Sequence, residues 1–108
     1  MARRYFDPWI YENGKQRNDV SDQYGPDVYT DFLIDFMKRN RKNPFFAFYS
    51  MALCHDVTDD FANPVPYGPK GRYENYREMV ESMDQKIGRL MQALEDLQLE
   101  DNTVVVFT

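Results

Sequence analysis

The sequence has a single cysteine, a single histidine and no apolar stretch of membrane-spanning length. With Cys54 alone, no disulfide can close within the chain, and the redox compartment stays open. With His55 alone, no pair of histidines at metal-ligand spacing exists. No run approaches the roughly 18 apolar residues of a transmembrane helix. The opening Met1–Pro8 carries Arg3 and Arg4 but no apolar core, so no signal peptide is visible there. Basic residues are also in deficit: 13 Lys and Arg stand against 18 Asp and Glu, a net charge of −5. The two signs are mixed along the chain, which argues against nucleic acid or an anionic membrane as the main partner. A Gly-rich phosphate loop, a Gly-x-Ser-x-Gly elbow, internal repeats and low-complexity tracts are all absent.

What is present suits a packed α/β structure. Hydrophobic residues make up 43% of the chain and aromatics 16%, enough to exclude wholesale disorder. A length of 108 residues allows one small domain and not two. Residues 1–26 are rich in aromatics and turn formers. There Trp9-Ile10-Tyr11-Glu12 runs into Asn13-Gly14, a hairpin-turn dipeptide. Gly25-Pro26 punctuates the chain, and residues 27–108 read as an α-β-loop-α-β core piece. The first helix is predicted from Thr30 to Arg41, with Thr30 as cap, Asp31 in the first turn and cations at the far end. Phe32, Leu33, Phe36 and Met37 would form its apolar face, and Asn43-Pro44 would stop it.

Phe45-Phe46-Ala47-Phe48-Tyr49 lacks polar alternation, as a strand buried on both faces does. Residues 50–72 hold three prolines and two glycines and read as a long irregular loop. Tyr73, Tyr76, Val80, Met83, Ile87, Leu90, Leu94 and Leu97 then recur three and four apart, the stripe of a long amphipathic helix. The same spacing would serve a coiled-coil seam in a non-catalytic interaction module. The flanking residues show no regular charge code, however, and the adjoining apolar runs favour packing on a sheet. After a turn at Glu100-Asp101-Asn102, Thr103-Val104-Val105-Val106-Phe107 is a second run without alternation. Strand, helix, strand of this kind makes a βαβ unit with parallel strands, two helices and an N-terminal hairpin. Such strands want neighbours on both edges, so exposed apolar surface and self-association through the sheet are expected.

Ligands of open parallel sheets sit beyond the carboxyl ends of the strands. His55 lies at one such end, where an imidazole can bind an anion or protonate a leaving group. A loop histidine without a task is the plainer reading from position alone. Cys54 precedes it directly, but neighbours in an extended segment point apart, so a Cys-His dyad is disfavoured and Cys54 reads as a small packing residue. Asp56, Asp59 and Asp60 lack the spacing and turn glycine of a calcium loop and read as a solvated acidic turn. Asp84, beside the stripe, is expected to bond a loop or helix end, and Gly88 to permit close approach of helix to strand.

Taken in order, these stretches resemble the sulfatase family of the alkaline-phosphatase-like superfamily. The matching pieces are Tyr29-Thr30-Asp31, the run from Asn43 to Ser50, His55, the helix with Asp84-Gln85-Lys86-Ile87-Gly88-Arg89-Leu90, and the segment from Leu99 to Thr108. The resemblance implies a partial alkaline-phosphatase-like fold, sulfuric ester hydrolysis, and a periplasmic, secreted or lysosomal parent. It also implies a formylglycine nucleophile, a bound calcium, and His55 as the residue that contacts the sulfate and protonates the leaving group. The formylglycine motif, Cys or Ser-x-Pro-x-Arg, occurs nowhere in the chain, and Cys54 is followed by His55, Asp56, Val57 and Thr58. The family's metal-binding Asp-Asn pair would come directly after a strand like Val104 to Thr108, where this chain stops. The expectation is therefore a fragment of a sulfatase-like domain that carries no cofactor and is inactive alone. A piece of a related phosphoryl or phosphonate hydrolase is the nearest alternative.

Overall fold

The computed structural model describes residues 5–54 and 75–108. Strands β1 (Tyr11–Glu12) and β2 (Lys15–Gln16) pair antiparallel, with Tyr11 opposite Gln16 and Glu12 opposite Lys15. Asn13 and Gly14 both take positive φ, +52° and +79°, the geometry that lets a two-residue turn follow the natural twist of the strands. The expected hairpin is therefore present. The Arg17 amide extends it by donating to the Ile10 carbonyl at 2.9 Å.

Helix α1 spans Gly25–Asn40 and starts five residues before the expected Thr30. Pro26 lies in its first turn, where the missing N–H costs nothing and the fixed φ already suits a helix. Asp27 follows in that turn, and Lys38 and Arg39 close the other end. Thr30 is not a cap: its fully buried hydroxyl donates to the Pro26 carbonyl at 2.7 Å, one turn back. Beyond the helix, Phe45 turns back to meet Phe36 edge-to-face, with ring centroids 5.7 Å apart.

Helix α2 spans Tyr76–Asp96. Asn75 caps it by accepting from the Glu78 amide at 3.0 Å, and Glu78 sits three residues on, the pattern of a capping box. At the other end Leu99 N–H donates to the Leu94 carbonyl and Gln98 N–H to the Glu95 carbonyl, both at 2.8 Å. This is a Schellman closure, with Gln98 in the left-handed position at φ +57°. The 3₁₀ turn Glu100–Asn102 follows where a turn was expected.

Four expectations need correction. The two apolar runs form no ladder with each other: the only sheet among the described residues is the β1–β2 hairpin. Period alone states that a run wants burial; it cannot supply the neighbouring strands that a parallel ladder needs. Second, the tightly buried line of α2 is Met79, Ser82, Lys86, Ala93 and Leu94, turned about one residue from the apolar stripe. Val80, Met83, Ile87, Leu90 and Leu97 are only half-buried, since among the described elements α2 packs only on α1 and on the 3₁₀ turn at 100–102. Third, Asp84 is exposed and bonds no described residue. Fourth, a Cβ added at Gly88 would meet nothing within 4 Å, so this glycine does not mark a close approach.

Among the described residues the interior is three small clusters. One joins Tyr5, Tyr24, Leu53 and Met79; a second joins Ile10, Val20 and Val28 under the hairpin. The third gathers Met37, Ala93 and Leu94, with Phe45, the first residue of the first apolar run, and Leu99 packed against it. No described helix is long and apolar enough to cross a membrane.

Candidate functional site

The segment that leads into His55 is firmly held. The Tyr5 hydroxyl donates to the Ala52 carbonyl at 3.0 Å. Leu53 is buried between Tyr24 and Met79, and Cys54 packs on the same cluster. Burial pushes the Cys54 thiol above its ordinary pKa, and a hydrogen bond with Tyr76 at the start of α2 opposes this in part. A thiol shifted upward is the reverse of an activated nucleophile. His55 itself, with Asp56, Asp59 and Asp60, lies outside the described residues.

A polar seam, which sequence reasoning missed, runs directly behind this anchor. Lys86 of α2 is buried, with its Nζ 2.8 Å from Asp27 of α1 and 5.6 Å from the centre of the Tyr24 ring. The Tyr24 and Ser82 hydroxyls share a hydrogen bond of 3.3 Å. Arg89, one turn beyond Lys86, reaches Asp27 at 3.1 Å and also bonds Asp31. Acids one turn apart on one helix thus face cations one turn apart on the other. The available signal was Asp27 and Asp31 at (i, i+4) with Lys86 and Arg89 at (i, i+3). Every cation here has a partner, so the seam clamps two helices and leaves no charge for a ligand.

In the first apolar run the Tyr49 hydroxyl is buried without a hydrogen-bond partner among the described residues. It lies beside Thr30, whose own hydrogen is given to Pro26. Burial raises the phenol's pKa, with Thr30 opposing.

A shallow groove of about 410 Å³ opens between the hairpin and α1, with Glu12, Asp19, Asp31 and Asp35 on its walls. Its one cation, Arg17, is held by Asp19 at 2.6 and 3.0 Å. The groove's described lining residues therefore offer a sulfate ester no unpaired cation. Among the described residues no three His, Cys, Asp or Glu side chains converge as a metal site.

The chain belongs to the sulfatase family, whose model, described as Sulfatase, matches residues 1–108. It is similar to steryl-sulfatase of Rattus norvegicus, 38% identical over 74 residues that cover 68% of this chain and 12% of the relative. N-acetylgalactosamine-6-sulfatase of Homo sapiens is 32% identical over 82 residues, 75% of this chain and 15% of that protein. Steryl-sulfatase of Homo sapiens is 30% identical over 104 residues, 94% of this chain and 15% of that protein. The chain thus spans less than a sixth of the length of these relatives. No solved structure matches it.

Proposed function

We propose that this chain is a structural and substrate-facing part of a sulfate-ester hydrolase, inactive by itself, in which His55 contacts the sulfate group and protonates the leaving oxygen. The family match over the whole chain carries this reading, together with the names of its relatives, all sulfatases. The anchored segment Ala52–Cys54 supports it, since it hands a fixed backbone to His55. Inactivity follows from chemistry: without a Cys or Ser-x-Pro-x-Arg nucleophile or a cation to stabilise charge in the transition state, the rate enhancement vanishes. The helical-module alternative is weakened by α2 itself, which spends Met79 on Tyr5, Tyr24 and Leu53, and Lys86, Ala93 and Leu94 on α1, all within this chain.

Two measurements test the proposal. With excess calcium and an aryl sulfate, the chain should show no turnover above background, and saturable hydrolysis would refute its inactivity. Because His55 is the only histidine, its ring resonances titrate without overlap. Inorganic sulfate should raise its pKa relative to chloride at equal ionic strength, since a bound anion favours the imidazolium. Identical titrations in the two salts would remove His55 from the sulfate site.

A further inference from the structure

Tyr5 is fixed at both ends. Its main chain lies against the entrance of α1: the Gly25 amide donates to the Tyr5 carbonyl, Phe6 bridges Tyr24, and the Asp7 amide donates to the Gln23 carbonyl at 3.1 Å. Its ring is buried with Tyr24, Leu53 and Met79 of α2. From that position the hydroxyl donates to the Ala52 carbonyl at 3.0 Å, across 47 positions of sequence.

The segment it reaches has little else to orient it. Among the described residues, no main-chain hydrogen bond reaches residues 44–54, which lie outside every helix and ladder. Side chains hold the three residues before His55 instead. Tyr5 holds Ala52 through its carbonyl, burial against Tyr24 and Met79 holds Leu53, and a hydrogen bond with Tyr76 holds Cys54. These holds differ in kind. Apolar burial fixes where Leu53 sits but hardly its rotation, because the hydrophobic effect has no direction. A hydrogen bond weakens steeply when bent below about 120°. The Tyr5 bond therefore sets the plane of the peptide between Ala52 and Leu53, and rotation there redirects the chain that follows.

We infer that Tyr5 is a positioning residue for His55: its hydroxyl, held by the start of α1 and by α2, sets the direction in which the backbone leaves Ala52. The inference rests on the assignment of His55 as the sulfate contact. His55 follows Ala52 by three residues, at most about 11 Å of chain. A binding group must be held to within about 0.5 Å of its productive place, so a small swing at Ala52 is enough to weaken the contact. Tyr24 supplies the matched control. Its ring shares the cluster, but its hydroxyl is spent on Ser82 at 3.3 Å.

The test compares Tyr5→Phe with Tyr24→Phe in the full chain. Each variant keeps its ring in the cluster and loses one hydroxyl. Both are also made in a Gly88→Ala background, which supports the fold if either substitution alone unfolds it. Sulfate is titrated at constant ionic strength and read on the His55 ring resonances, and amide exchange is followed at Leu53, Cys54 and His55. Tyr5→Phe should weaken sulfate binding about 3- to 10-fold, as loss of one hydrogen bond implies. It should also speed exchange of those three amides while the interior of α2 is unchanged. Tyr24→Phe should leave both readouts at their natural values. Natural sulfate affinity in Tyr5→Phe would overturn the role of Tyr5 and leave His55 as the sulfate contact. A natural chain whose His55 ignores sulfate would instead remove the sulfate assignment, and amide exchange then decides the role of Tyr5. Unchanged exchange at 53–55 in Tyr5→Phe, or an acceleration shared with α2 or with Tyr24→Phe, would overturn it.

Discussion

At the scale of single residues, Tyr49 is where polar chemistry is left incomplete. A buried hydroxyl without a hydrogen-bond partner among the described residues costs about 1–3 kcal/mol of desolvation that no described bond returns. Tyr49→Phe keeps the ring and deletes the orphan, so it should raise the unfolding free energy by about 1 kcal/mol. The same group makes stability depend on pH in a definite direction. Burial, opposed only in part by Thr30, holds the folded phenol above its unfolded value of about 10. Above that pH the unfolded chain releases the proton while the folded chain retains it. Stability conferred by the neutral phenol is thus complete below about pH 10 and is lost as pH rises through the folded value. Urea midpoints from pH 8 to pH 11 should fall more steeply for the natural chain than for Tyr49→Phe, and parallel curves would show that Tyr49 is not the group responsible.

At the scale of elements, α2 carries two correctable weaknesses, one of them visible only in coordinates. Gln98 holds the left-handed position of the Schellman closure, a conformation that costs a side chain about 1–2 kcal/mol and glycine almost nothing. Gly88 sits mid-helix with open space where a Cβ would stand, at about 1 kcal/mol less favourable than alanine. Gln98→Gly and Gly88→Ala should each raise stability by about 1 kcal/mol in thermal unfolding and add when combined, since the sites share no partner. A loss of stability from Gly88→Ala would mean that the helix face at Gly88 is in fact covered. The elements themselves were largely legible. Asn13-Gly14, the three-four stripe and Glu100-Asp101-Asn102 specify local geometry, and local geometry is what appeared. The start of α1 was misread because Thr30-Asp31 resembles a cap, whereas Gly25-Pro26 resembles a break; proline in fact suits a first turn. Parallel pairing was expected from the two apolar runs and does not appear among the described residues, because a ladder depends on strands remote in sequence that periodicity cannot supply. Of the candidate site, the chain encodes the packing role of Cys54 openly, while Tyr5 and the seam reach across 47 to 62 positions, beyond any periodic signal.

At the scale of the whole molecule, three small clusters replace a single core, and the polar seam does much of the joining between α1 and α2. Its two charges are not equivalent. The Lys86 side chain is 8% exposed and has Asp27 as its only carboxylate among the described residues, whereas Asp27 is 40% exposed and is also held by Arg89. Removing Lys86 therefore leaves a solvated, still-paired carboxylate. Removing Asp27 strands an ammonium in a nearly dry position and also takes a favourable acid from the first turn of α1. Lys86→Met, which keeps the apolar stem, should cost less than about 1 kcal/mol, since methionine packs where the charge was merely tolerated. Asp27→Ala should cost about 3 kcal/mol or more. The double variant should recover most of that loss, because no stranded charge remains. Urea unfolding of the four proteins closes the cycle. Equal single costs that simply add would mean that the two groups do not interact across the helices, and that apolar contact alone sets the register of α1 on α2.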